Sequence, residues 1–107
     1  MRIAIDFDGT LCEEEYPNIG RGNTNVIAKV WEAIEKGHVL TLWTCRQGKL
    51  LEKAVQWCKE LGLNFRYYNG QSEKDLEHYG NSKKIGSDLY VDDKSPGSIE
   101  YFLGMKL

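Results

Sequence analysis

The sequence predicts an α/β fold: a three-layer, Rossmann-like sandwich built on a central, mainly parallel sheet of about four strands. Two observations carry this reading. Short apolar runs of strand length alternate along the chain with stretches of helical periodicity, and strands separated by helices imply right-handed crossovers and a sheet covered on both faces. Several of the apolar runs also end abruptly in acidic or hydroxyl residues, as strands do when their carboxyl ends open onto a site.

The elements follow in order. Ile3-Ala4-Ile5 is a buried-looking strand ended by Asp6-Phe7-Asp8-Gly9-Thr10. The stretch from Cys12 to Asn25 (CEEEYPNIGRGNTN) is polar and glycine-containing, and is expected to be an exposed loop or flap. From about Asn25 to Lys36, Val26, Ile27, Val30, Trp31, Ala33 and Ile34 recur at helical spacing, and Gly37 supplies a stop. Val39-Leu40-Thr41-Leu42-Trp43 is a second strand. The next helix places Leu50, Leu51, Ala54, Val55, Cys58 and Leu61 on one side and closes at Gly62. Phe65-Arg66-Tyr67-Tyr68 is a third strand interrupted by Arg66, and Leu89-Tyr90-Val91 a fourth that runs into Asp92-Asp93. Gly70 to Ser87 has room for a turn or two of helix, and Ser98 to Leu103 forms a short one. Trp31, Trp43 and Trp57 fall at core-facing positions.

Composition narrows the function. A chain of 107 residues fits one domain, 1–107, and 41% hydrophobic with 28% charged residues is ordinary for a globular one. A net charge of −2 disfavours a general nucleic-acid or membrane-surface binder. No apolar run approaches the ~20 residues that span a bilayer. The acidic pair comes too early for a signal peptide, so a cytoplasmic location is expected. Cys12, Cys45 and Cys58 form no C-x-x-C pair, which suggests free thiols and neither a disulfide framework nor a zinc site.

The strand ends carry the chemistry. The first offers Asp6 and Asp8, the second Thr44 and Arg46, and the fourth Asp92 and Asp93. If these strands are neighbours, several carboxylates meet at one edge and repel one another. A hard divalent cation with oxygen ligands, Mg2+ above all, relieves that repulsion. Carboxylates loaded with a cation beside a basic side chain suit phosphoryl transfer, in which charge spreads over three equatorial oxygens.

Asp6-Phe7-Asp8-Gly9-Thr10-Leu11 resembles the opening motif of the haloacid dehalogenase superfamily of phosphohydrolases. Thr44 after Leu40-Thr41-Leu42-Trp43 resembles its second motif, and Val91-Asp92-Asp93 its fourth. The resemblance implies Asp6 as covalent nucleophile and metal ligand, and Asp8 as general acid–base residue whose backbone carbonyl also meets magnesium. It implies that Thr44 hydrogen-bonds the transferring phosphoryl group and that Asp92 and Asp93 complete the metal site. Retention of Asp8 places the likeness with the phosphatase branch. The third motif, a lysine, has two candidates, Lys83 and Lys84, with Lys84 favoured as catalytic and Lys83 left to substrate binding. Arg46 is close enough to Thr44 to bind substrate or to form a salt bridge. No insertion is long enough to fold as a cap domain, so the likeness is to capless members.

Other assignments are structural or compete. Asp88 precedes its strand and belongs to the far edge of the sheet. A phosphorelay receiver requires an aspartate after the third strand, where this chain has Tyr68-Asn69-Gly70. A catalytically silent phosphate-binding or regulatory domain of the same fold is the remaining alternative to a phosphomonoester phosphatase. The expected partner is a phosphorylated substrate: a nucleotide, a sugar phosphate or a macromolecular phosphate end. A second copy of the chain or a partner protein is the expected cover for an open site.

Overall fold

The computed structural model describes residues 1–69 and 87–107. Over these residues the chain runs β1 (Arg2–Asp6), β2 (Cys12–Glu15), β3 (Asn18–Gly22), α1 (Thr24–Glu35), β4 (Val39–Trp43), α2 (Gly48–Glu60), β5 (Tyr67–Tyr68), β6 (Leu89–Val91) and α3 (Ser98–Gly104). Four strands form one sheet in the order β5-β4-β1-β6, with every neighbouring pair parallel. The expected α/β architecture is therefore present.

Burial explains why β1 and β4 read as continuous apolar runs. Ile3, Ala4 and Ile5 are all inaccessible, as are Leu40, Thr41 and Leu42, although successive side chains point to opposite faces. Both faces of the two central strands are thus covered, the condition under which a parallel sheet is stable. Val26, Val30 and Ala33 of α1, Ala54 and Cys58 of α2 and Phe102 of α3 join this core. Helix α1 packs on β4 and α3, and α3 also rests on β6. Gly37 ends α1 at φ +86°, with the amides of Gly37 and His38 closing back on Ile34 and Ala33.

The sheet order positions the site. The chain moves outward from β1 to β4 and β5, then returns to place β6 on the other side of β1, so the order reverses at the carboxyl end of β1. Open parallel sheets bind ligands at such a reversal. Asp6 stands level with Trp43, and Ile5 with Val91, so the segments leaving β1, β4 and β6 emerge side by side.

Four expectations need correction. Cys12–Asn25 is exposed at Glu13 to Asn18 as expected of a flap but is no loop: β2 and β3 form an antiparallel hairpin, Glu14 opposite Ile19 and Glu15 opposite Asn18, and Thr24 and Asn25 already belong to α1. Its three glutamates are exposed and show no apolar alternation, so the backbone ladder left no trace in composition. The third strand is shorter than expected, because only Tyr67 and Tyr68 pair with β4 while Phe65 turns into the core. Trp31 is 51% exposed and Leu61 43%, whereas Trp57 packs edge-on against Phe7, 5.4 Å between ring centroids. Asp88 does sit at the far edge, where its carboxylate accepts the Arg2 amide at 2.8 Å. Among the described residues no helix is long and apolar enough to cross a membrane.

Candidate active site

The chain leaves β1 in a tight loop. The carbonyl of Phe7 accepts the amides of Thr10 and Leu11 at 3.2 and 3.0 Å, and the Gly9 amide donates to the carbonyl of Cys12 at 2.9 Å. Gly9 lies at φ +87°, and a Cβ there would come within 2.3 Å of Asp93 Oδ2. The loop after β1 and the loop after β6 are therefore in direct contact, and only glycine allows it.

Thr10, fully buried, stitches the two loops together. Its hydroxyl donates to Asp6 Oδ2 at 3.2 Å and accepts the Asp93 amide at 3.0 Å. Asp92 is fixed from the other side. Its amide donates to Ser98 Oγ at 3.0 Å, and that hydroxyl donates back to the Asp92 carbonyl at 2.8 Å. The Lys94 amide donates to Asp92 Oδ1 at 3.0 Å, in a turn ahead of α3.

Asp6, Asp92 and Asp93 each offer a carboxylate oxygen within 4.8 Å of the others. Burial first, and then the negative charge of Asp92 and Asp93 against the opposing Thr10 hydrogen bond, raises the Asp6 carboxyl to about 7. Asp93, although largely exposed, is pushed upward as well, by partial desolvation of its carboxyl and by its contact with Asp92. Three clustered carboxylates, with Asp6 and Asp93 resisting ionisation and only oxygen donors on offer, fit a hard divalent cation of the magnesium type.

The loop after β4 supplies the opposite wall. Asn69, in the left-handed region at φ +56°, accepts the Thr44 amide at 2.7 Å and donates to the Arg46 carbonyl at 3.4 Å. Asparagine tolerates that backbone better than most residues. Thr44 Oγ1 accepts the Arg46 amide at 3.1 Å. The Arg46 guanidinium is buried and grips both oxygens of Asp8, at 2.8 and 2.7 Å.

The result is a cleft of about 310 Å³. It brings together Asp6, Asp8, Thr44, Arg46, Asp92 and Asp93, all singled out from sequence. Lys83 and Lys84 lie outside the described residues. Glu14 and Tyr16 of the hairpin, Trp43, Cys45 and Lys94 complete the wall. Thr10, Asn69 and Ser98 were missed as supports. Thr10 and Asn69 each sit beside a glycine, in Gly9-Thr10 and Asn69-Gly70, a local hint of special backbone, and Ser98 carried none.

A solved structure, that of a conserved protein coded by a locus from Bacteroides thetaiotaomicron, is 35% identical to this chain with a TM-score of 0.82. The match covers all of this chain and 93% of that one. This chain belongs to the family of that protein. Membership agrees with the α/β fold and leaves the chemistry to be argued from the residues of the cleft. A scan against protein-family models and a search of curated proteins each gave no match.

Proposed function

We propose that this chain is a magnesium-dependent phosphomonoester hydrolase of the haloacid dehalogenase type, working through a phosphoryl group carried on Asp6. The observation that carries this reading is the convergence of Asp6, Asp92 and Asp93 within 4.8 Å, with Asp8 and Thr44 lining the same cleft at the reversal point of the sheet. Asp6, Asp92 and Asp93 would hold the cation together with the Asp8 carbonyl. Magnesium, when bound, neutralises the acids and the phosphoryl oxygens.

The chain's own residues then divide the work. The Asp6 carboxylate attacks phosphorus, the bond to the leaving oxygen breaks, and Asp8 supplies the proton that oxygen needs. In the second half a water attacks phosphorus, the Asp6–phosphorus bond breaks, and Asp8 takes the proton from the water. Thr44, held by Asn69, orients a phosphoryl oxygen, and Thr10 fixes the rotamer of Asp6.

The test uses a nitrophenyl phosphate, whose leaving group hardly needs a proton. Asp8→Asn should slow the second half more than the first, leaving an acid-stable, hydroxylamine-sensitive phosphoryl mass on the peptide that contains Asp6. Wild type should turn over with magnesium and accumulate little adduct. Neither turnover nor adduct in either protein would mark a silent phosphate-binding domain and reject the proposal.

A further inference from the structure

Arg46 is 1% exposed, and a guanidinium is seldom buried unless its donors are satisfied. Nε and Nη2 donate to the two oxygens of Asp8. Nη2 donates also to the Asn18 carbonyl at 2.9 Å, and Nη1 to the Pro17 carbonyl at 3.2 Å. Four of its five N–H groups are thus committed within the protein. Its carbon lies 5.1 Å from the centre of the Phe7 ring and 5.2 Å from that of Tyr16, a cation held between two aromatic faces.

The partners fall into two groups. Phe7 and Asp8 belong to the loop after β1, while Tyr16, Pro17 and Asn18 form the tip of the β2–β3 hairpin. Among the described residues, every hydrogen bond of the Asp8 carboxylate comes from Arg46. A two-point grip on a phosphate needs two parallel N–H groups, and among the described residues' hydrogen bonds Arg46 leaves one uncommitted.

We propose that Arg46 is a positioning residue that couples the hairpin to Asp8, so that the carboxylate is presented to the cleft only while the hairpin is seated. The hairpin then acts in place of a cap: it fixes the acid–base group through the guanidinium between them. The consequence for turnover rests on the phosphohydrolase reading; the coupling itself does not.

Hydrogen exchange on the full chain tests the coupling without any activity. In Arg46→Met, and in Arg46→Lys, which keeps the charge but loses the fork, amides of residues 13–21 should exchange on the order of tenfold faster while those of β4 hold. Asp8→Asn, at the other end of the link, should speed the same amides. Unchanged hairpin exchange in Arg46→Met, or in Arg46→Lys should the methionine variant fail to fold, overturns the proposal. Turnover with magnesium gives a second readout. In single-turnover release of the leaving group, Arg46→Lys should lose on the order of 10² with phenyl phosphate, which needs a proton, and far less with dinitrophenyl phosphate, after which phosphoryl-Asp6 should accumulate as in Asp8→Asn. Equal losses on both esters with a raised KM would make Arg46 a phosphate ligand and overturn the positioning role. Wild type inert on both esters refutes the phosphohydrolase reading alone, and exchange then decides the coupling.

Discussion

Gly9→Ala separates the strain of a backbone from the crowding of a site, because Gly37→Ala provides its control. Both glycines lie in the left-handed region, at φ +87° and +86°. An L-residue there costs roughly 1–2 kcal/mol, so each variant should lose about that much stability. For a domain of this size that is a fall in Tm of roughly 4–8 °C per kcal/mol. The two positions differ in what a methyl group meets. At Gly37 nothing lies within 4 Å, whereas at Gly9 the new Cβ stands 2.3 Å from Asp93 Oδ2 and 2.7 Å from its Cγ. Asp93 is exposed and can swing toward solvent at small cost to stability, but doing so removes one of three carboxylates from the cluster. Magnesium should therefore raise the Tm of Gly37→Ala as much as that of wild type, while Gly9→Ala should need on the order of 10–100-fold more, the scale seen when a metal's supporting shell is disturbed. Thermal melts across a magnesium titration give both quantities. Identical magnesium responses in the two variants would refute the reasoning.

The raised Asp6 carboxyl makes a pH prediction with a definite sign. Its ordinary value of 3.8 rises to about 7 in the fold, so from about pH 4 to about pH 7 the native state holds a proton that the unfolded chain has released. This group's contribution is present at low pH and lost as pH rises toward about 7. In chelator, the urea midpoint of wild type relative to Asp6→Asn should fall over that range, and magnesium should flatten the difference; a rise would contradict the assignment. Asp6→Asn should also abolish phosphate-ester hydrolysis, since an amide is no nucleophile for phosphorus, and substantial residual rate in a steady-state assay would point to direct attack by water. Calcium, larger and looser in its coordination, should inhibit the magnesium-supported reaction in a competition assay. Lys84→Ala should cost on the order of 10²–10³ in kcat and Lys83→Ala much less, with the reverse pattern exchanging the two roles.

The fold was legible where burial is two-sided. Ile3 to Ile5 and Leu40 to Leu42 are apolar or small because both faces of the central strands are covered, and they stop where the sheet meets the cleft. Asp6 and Asp8 were legible for the same reason, since they follow such a run, and Asp92 and Asp93 because they end the apolar run Leu89–Val91. What could not be read depends on partners distant in sequence. Thr10 matters because its hydroxyl meets an amide 83 residues away. Arg46 read equally well as a substrate ligand or a salt bridge until Asp8, Pro17 and Asn18 were seen around it. The hairpin escaped because Glu13, Glu14 and Glu15 face water, where side-chain patterning carries no trace of strand pairing. Trp31 misled because helical spacing reports one stripe, and α1 buries only Val26, Val30 and Ala33 fully.

The position of β6 beside β1 has a consequence for how the molecule is made. A chain leaving the ribosome folds roughly from its amino end, so β1 can pair with β4 long before Leu89–Val91 is synthesised. Until then β1 presents one bare edge, a row of unpaired amides and carbonyls able to recruit a strand from another nascent chain. Asp6 waits at the end of that edge without Asp92 and Asp93, and Thr10 without the amide it will accept. Arrival of β6 completes the sheet and brings the three carboxylates together in one event. A half-made chain is sticky and has no carboxylate cluster; the finished one has closed that edge and gained its candidate cation site by the same contact.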